Sequence, residues 1–146
     1  MSIGKTNTQV KLPPQIMKFA YTILYVPDVA AAIAFYEAAF GLTRGFVHEC
    51  GDYAELATGS TTLSFASLSL AESNIEGGVI PSDVRSRPAA FELAFRTEDV
   101  ASAYDRAIRA GALPASAPSL KPWGQTVSYV RDLNGNLIEI CSPIPS

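Results

Sequence analysis

Isolated ionisable side chains interrupt short apolar runs of this 146-residue chain, and any chemistry would have to come from them. Glu55 lies in "YAELAT", Glu92 in "AFELAF", Glu139 in "NLIEIC", and His48, the only histidine, in "FVHEC". A carboxylate amid apolar neighbours needs water or a partner. Imidazole is the side chain whose unperturbed pKa lies nearest neutrality. Such groups could transfer protons or attract a cationic ligand. Other chemistries lack their minimum parts, because the chain has no G-x-S-x-G, no Walker loop, no G-x-G-x-x-G and no H-E-x-x-H. Hydrolase, nucleotide-binding and zincin readings fall with them.

Strand alternation decides which of these side chains can meet. In the first predicted strand Ala20, Leu24 and Val26 face one way, and Tyr21, Ile23 and Tyr25 the other. In the strand that opens the second half, Phe91, Leu93 and Phe95 form an apolar face suited to a helix, leaving Glu92, Ala94 and Arg96 opposite. Leu137, Glu139 and Cys141 likewise share a face, with Ile138 and Ile140 on the helix side. Two-residue loops at Gly51-Asp52 and Gly59-Ser60 would set His48 opposite Glu55, and Glu55 opposite Ser64. The same register pairs Leu56 with Leu63 and Ala54 with Phe65 on the reverse face. One sheet face is then apolar and helix-covered. The other collects Tyr21, Tyr25, His48, Glu55, Ser64, Glu92, Arg96 and Glu139 among the small residues Ala57, Ala66 and Ala94, a mixture suited to a concave binding surface.

The elements that must position these residues repeat. "DVAAAIAFYEAAFG" spaces Val29, Ile33, Tyr36 and Phe40 as one helical face, with Asp28 as N-cap and Gly41 as the stop. "EDVASAYDRAIRAGA" repeats the design, and laying Asp28 over Asp99 also pairs Val29 with Val100 and Tyr21 with Glu92. That is an internal duplication of weak identity. Each half reads strand, helix, strand, strand, strand. Asn134-Gly135 is the strongest hairpin signal, and the proline-rich "PASAPSLKPW" is expected to be an edge or irregular strand. Module one is expected over about residues 18–68, a connecting loop over 69–89, module two over 90–142, and a flexible arm over 1–17.

Composition narrows the partners. With 48% hydrophobic and 17% charged residues the chain fits one globular domain. A net charge of −3 without basic clusters leaves no footprint for nucleic acid. The sequence contains no run long enough to span a bilayer, and its polar start lacks a signal-peptide pattern, so a soluble cytoplasmic protein with no membrane partner is expected. Cys50 and Cys141 have no C-x-x-C spacing and are expected as reduced thiols.

"YVPDVAAAIAFYEAAFGL" and "RDLNGNLIEI" resemble the first strand and helix, and the closing D-P-x-G-x-x-x-E hairpin, of the vicinal oxygen chelate superfamily. That superfamily includes glyoxalase I, bleomycin-resistance proteins, fosfomycin-resistance enzymes and extradiol dioxygenases. The resemblance covers about residues 18–142, with Leu133 standing where the family has proline. It implies an α+β fold in which two paired β-α-β-β-β modules form a curved mixed sheet around a cavity, helices on the outer face, and a homodimer. It also places the metal-ligand positions of metal-dependent relatives at Tyr21, Ser64, Glu92 and Glu139. None is histidine, and serine is a poor neutral ligand, so the expectation is no cofactor and no metal.

Each candidate also has a plainer role. Glu139 could serve local hydrogen bonding, and a His48–Glu55 pair is more often an exposed cross-strand contact of about 0.2–1 kcal/mol than a catalytic dyad. Arg96 is placed at the cavity mouth. Tyr21, Tyr25, Tyr129 and Trp123 could stack on an aromatic or cationic ligand, Tyr129 by resemblance to where fosfomycin-resistance enzymes hold ligand contacts. The expected function is metal-free binding of a small organic molecule, as in bleomycin-resistance proteins. The alternative is a lyase, isomerase or epimerase using Glu92, Glu139 and His48, with a weakly held divalent metal or by acid/base chemistry alone.

Overall fold

The computed structural model describes residues 13–14 and 16–145. The arm expected over residues 1–17 lies almost wholly outside them. Strand β1 (Tyr21–Val26) leads into helix α1 (Val29–Phe40), then β2 (Arg44–Val47), β3 (Tyr53–Leu56) and β4 (Thr62–Ser67). A short helix α2 (Leu68–Asn74) follows, before β5 (Glu92–Arg96), α3 (Val100–Arg109), β6 (Leu113–Leu120), β7 (Thr126–Arg131) and β8 (Leu137–Cys141). The class is α+β. Two four-stranded mixed sheets have equivalent orders, β1-β4-β3-β2 and β5-β8-β7-β6. In each, the first strand lies parallel to the last and the remaining pairs are antiparallel.

Local chemistry accounts for the element ends. The Asp28 carboxylate accepts from the Ala31 N–H at 3.0 Å, and that of Asp99 from Ser102 at the same distance, each relieving an orphan donor at a helix start. Gly41 ends α1 at φ 69°, a left-handed cap that favours glycine. The prolines of β6 leave it at a sheet edge, with register shifts on both sides of Ser116. Leu24, Val26, Ala54, Leu56, Leu63, Phe65, Ile138 and Ile140 are all buried, so the expected helix-covered faces form the core.

The halves meet through their helices. The Phe40 and Phe95 rings lie 5.0 Å apart, and Arg106 of α3 donates to the Ala38 carbonyl of α1 at 2.9 Å. Below them the buried Tyr36 hydroxyl donates to Asp132 Oδ2 at 2.6 Å. Asp132 also accepts from the Asn134 and Asn136 N–H groups and from Asn136 Nδ2, which ties the β7–β8 turn to α1. Burial, with the Asp132 charge added, pushes the Tyr36 phenol well above its ordinary pKa.

The structure corrects three expectations. The segment after β4 is not all loop: Ser67 ends the strand and also caps α2, its hydroxyl accepting from the Leu70 N–H. Phe91 does not join the helix-facing side; it precedes β5, is 45% exposed, and borders a recess with Ile23 and Tyr25. Finally, β2 ends at Val47, which pairs with Ala54, and the turn to β3 is longer than two residues. Gly51 at φ 79° donates to the His48 carbonyl, and the His48 N–H bonds to the Tyr53 carbonyl. His48 therefore stands opposite Tyr53, not Glu55.

Candidate functional site

Each sheet has an open face away from the helices, and each carries its own polar cluster. On the first sheet, Glu55 lies opposite Ser64 as the Gly59-Ser60 loop requires, and Tyr53, two residues before Glu55, shares its face. The Tyr53 hydroxyl donates to Glu55 Oε2 at 2.7 Å. Burial raises the Tyr53 pKa; the nearby Ser64 hydroxyl opposes this, while Glu55 reinforces it. Ser64 is completely buried, and its Oγ has no hydrogen-bond partner among the described residues. A buried hydroxyl without a partner costs about 1–3 kcal/mol, a cost that a small shift toward the nearby Tyr53 hydroxyl would lower. Tyr21 stands at the end of the neighbouring strand, half exposed. Tyr25 sits further along that strand, beside Ile23 and the loop residues Val79 and Ile80.

The second face is more acidic. Glu139 lies between Ala94 of β5 and Tyr129 of β7, and the Tyr129 hydroxyl donates to its Oε1 at 2.9 Å. Glu92 lies on the same face as Glu139, and its pKa is raised by partial burial and then by the Glu139 charge. The Tyr129 phenol is pushed up to about 12 by burial and by its bond to Glu139. The Cys141 thiol is pushed up to about 11, first by burial and then by Glu139, with Arg96 acting in the opposite direction. That thiol stays protonated at neutral pH and is a poor nucleophile. Arg96 pairs across the sheet with Cys141 and makes no ion pair with Glu92.

The sequence-predicted residues thus fall into two groups and two outliers. Tyr21, Tyr25, Glu55 and Ser64 belong to the first face; Glu92, Arg96, Tyr129 and Glu139 belong to the second. Among the described residues no side-chain hydrogen bond or ion pair joins the two faces. His48 is exposed at the β2–β3 turn, where its Nδ1 accepts from the Cys50 N–H at 3.1 Å, a local turn contact. Trp123 lies in the β6–β7 turn and donates to Gln125 Oε1, which leaves it fastening that hairpin. Tyr53 was missed in the sequence, although its parity with Glu55 was readable once Glu55 was singled out.

The same geometry tests the family's metal. Among the described residues no three His, Cys, Asp or Glu side chains converge as a ligand set. Of Tyr21, Ser64, Glu92 and Glu139, only the two glutamates interact electrostatically, and a hydroxyl already occupies Glu139 Oε1. Two carboxylates without imidazole are a poor donor set for a transition ion, so these residues do not fit that group.

The model of the Glyoxalase/Bleomycin resistance protein/Dioxygenase superfamily matches residues 18–140. The chain belongs to this superfamily. It is 31% identical over 126 residues to YraH, an uncharacterized protein of Bacillus subtilis (strain 168), covering 85% of this chain and 97% of YraH. Among solved structures it resembles a glyoxalase-related enzyme from Fulvimarina pelagi, with a TM-score of 0.75 and 22% identity over 88% of this chain and 89% of that one. It also resembles a glyoxalase/bleomycin resistance protein/dioxygenase from Nocardioides, with a TM-score of 0.66 and 18% identity over 94% and 88% of the respective chains. At these identities the structural likeness carries the superfamily's fold.

Proposed function

We propose that this superfamily member binds a small aromatic cation at its open sheet faces, without a metal. The observation that carries the reading is the Glu92–Glu139 pair beside Tyr129. Partial burial and the neighbouring Glu139 charge both disfavour ionised Glu92, which holds its proton to higher pH as a result. A bound cation replaces that proton, while the Tyr129 phenol beside the pair offers a ring face to a flat ligand.

A homodimer with closed two-fold symmetry fits the same reading. The outer edge strands β2 and β6 are unpaired on one side, with Phe46, Val47, Leu113 and Leu120 exposed on them, and a second copy would cover such edges. Sedimentation at micromolar concentration should show a species of twice 15.5 kDa, and a lone 15.5 kDa species rejects the dimer. Among the described residues no helix is long and apolar enough to cross a membrane, and a cytoplasmic location remains part of this proposal.

The test of binding is a thermal-shift screen of flat organic cations and their neutral isosteres at two pH values. A saturating binder raises the melting temperature by mass action. Cations should stabilise more strongly above the raised Glu92 pKa than below it, and equal stabilisation by neutral isosteres rejects the acid pair as the recognition element. One observation favours a second reading: with one proton shared, Glu92 and Glu139 form an acid beside a base, the arrangement a metal-free isomerase or lyase needs. A bell-shaped pH–rate profile that loses one limb in Glu92→Gln would select catalysis.

A further inference from the structure

Away from both open faces, a cleft of about 410 Å³ lies on the seam between the halves, where the end of α1 meets α3 and the helix side of β5. Its size falls within the range of small-molecule sites, which favour such junctions. The floor is apolar and aromatic, formed by Phe40 and Phe95, whose rings lie 5.0 Å apart at an interplanar angle of 40°. The wall is cationic. Arg106 and Arg109 stand on one stripe of α3, and no carboxylate pairs with either among the described residues.

Arg106 is held in place by the α1 terminus. Its Nε donates to Ala38 O at 2.9 Å and its Nη2 to Glu37 O at 3.5 Å, and a Cβ on Gly41 would come within 2.9 Å of Nη1. The Nε–Nη2 edge thus caps the α1 carbonyls, and the remaining Nη N–H groups are left for a ligand. Arg109 is exposed and makes no hydrogen bond among the described residues. The acid in the lining, Asp99, is turned to its own helix, where it accepts from the Ser102 N–H at 3.0 Å. Arg96 borders the cleft from the strand end, but its charge acts on Cys141 across the sheet, so it is left out of the binding pair. In a chain of net charge −3, this aromatic cleft has a locally positive wall.

We infer that the seam cleft is a second binding site, for an organic monoanion with a flat apolar body, such as an aryl carboxylate. The ring would lie against Phe40 and Phe95, and the carboxylate would take charge-assisted hydrogen bonds from Arg106 and Arg109. This site is independent of the open-face reading, and opposite to it in charge preference.

The probe is 2-naphthoate, titrated into the ¹⁵N-labelled full chain, with neutral 2-naphthamide as the control. Naphthoate should give saturable shifts confined to the amides around Phe40, Phe95 and Arg106–Arg109. Arg109→Ala, which removes no contact within the described fold, should weaken binding by about tenfold. Glu92→Gln and Tyr21→Ala should leave it unchanged, so failure at the open faces is read separately from failure here. Naphthamide binding as tightly as naphthoate, unchanged affinity in Arg109→Ala, shifts centred on Glu92 and Glu139, or no saturable binding at millimolar naphthoate would each overturn the inference.

Discussion

Asp132 and Glu139 stand at the two ends of one short hairpin segment, yet one carboxylate is sealed and the other is left open. Asp132 is buried and receives the Tyr36 hydroxyl, two backbone N–H groups and an amide side chain, so its lone pairs are satisfied from within the fold. Glu139 receives a single hydroxyl from Tyr129 and faces a second carboxyl at Glu92. A satisfied buried acid locks two elements together. An acid held beside another acid stores an electrostatic conflict that a ligand can relieve. The hairpin signature therefore contains one carboxylate sealed by the fold and one left open on the sheet face.

The largest expected effect comes from breaking the sealed end. Asp132→Ala orphans the Tyr36 hydroxyl and two turn N–H groups together, and should cost about 3 kcal/mol or more in urea denaturation. A loss below about 1 kcal/mol would show that the seam does not depend on this acid. Tyr36→Phe removes one of the four donors to Asp132 and should cost about 1–2 kcal/mol by the same measurement.

At the open end the sign reverses. The folded-state pKa of Glu92 lies above the unfolded value, so the protein holds this proton more tightly when folded. The resulting stabilisation is fully present below the unfolded carboxylate pKa and is lost as pH rises through the raised folded value. Glu92→Gln should therefore raise the melting temperature at pH 7 slightly, solvent screening at this exposed position keeping the gain small, and the gain should vanish at pH 4. The same variant should weaken a cationic aromatic ligand about tenfold. A variant less stable than the parent at pH 7 would mean that Glu92 is held by favourable contacts, as Asp132 is.

The smallest effect is expected at Ser64. Its hydroxyl is buried without a partner, so Ser64→Ala should change the free protein's stability by less than about 1 kcal/mol, or raise it. Loss of ligand affinity in that variant without loss of stability would join the first face to the second as parts of one site.

Short-range rules carried much of this molecule. Asp28 and Asp99 cap their helices because a carboxylate there meets free N–H groups whatever lies beyond. The placing of Glu55 against Ser64, and of Ile138 and Ile140 in the core, followed from a side-chain period of two and a tight loop. His48 escaped the same rule because a longer turn, closed by Gly51 onto His48, shifted its partner from Glu55 to Tyr53; turn length is set by backbone geometry that several sequences satisfy. Helix α2 went unread because its N-cap, Ser67, is also the last residue of a strand, and seven residues carry too little periodicity. The sequence alone determined which side chains alternate to which face within the strands, Phe91 and His48 excepted, and that the chain's one histidine lies outside Tyr21, Ser64, Glu92 and Glu139. Only the tertiary structure decided that the candidate residues split between two faces, that Asp132 is sealed by Tyr36 while Glu139 is not, and that two arginines of α3 overlook an aromatic cleft. Those outcomes depend on how α1 and α3 pack across the seam, a contact between residues far apart in the chain that no local pattern encodes.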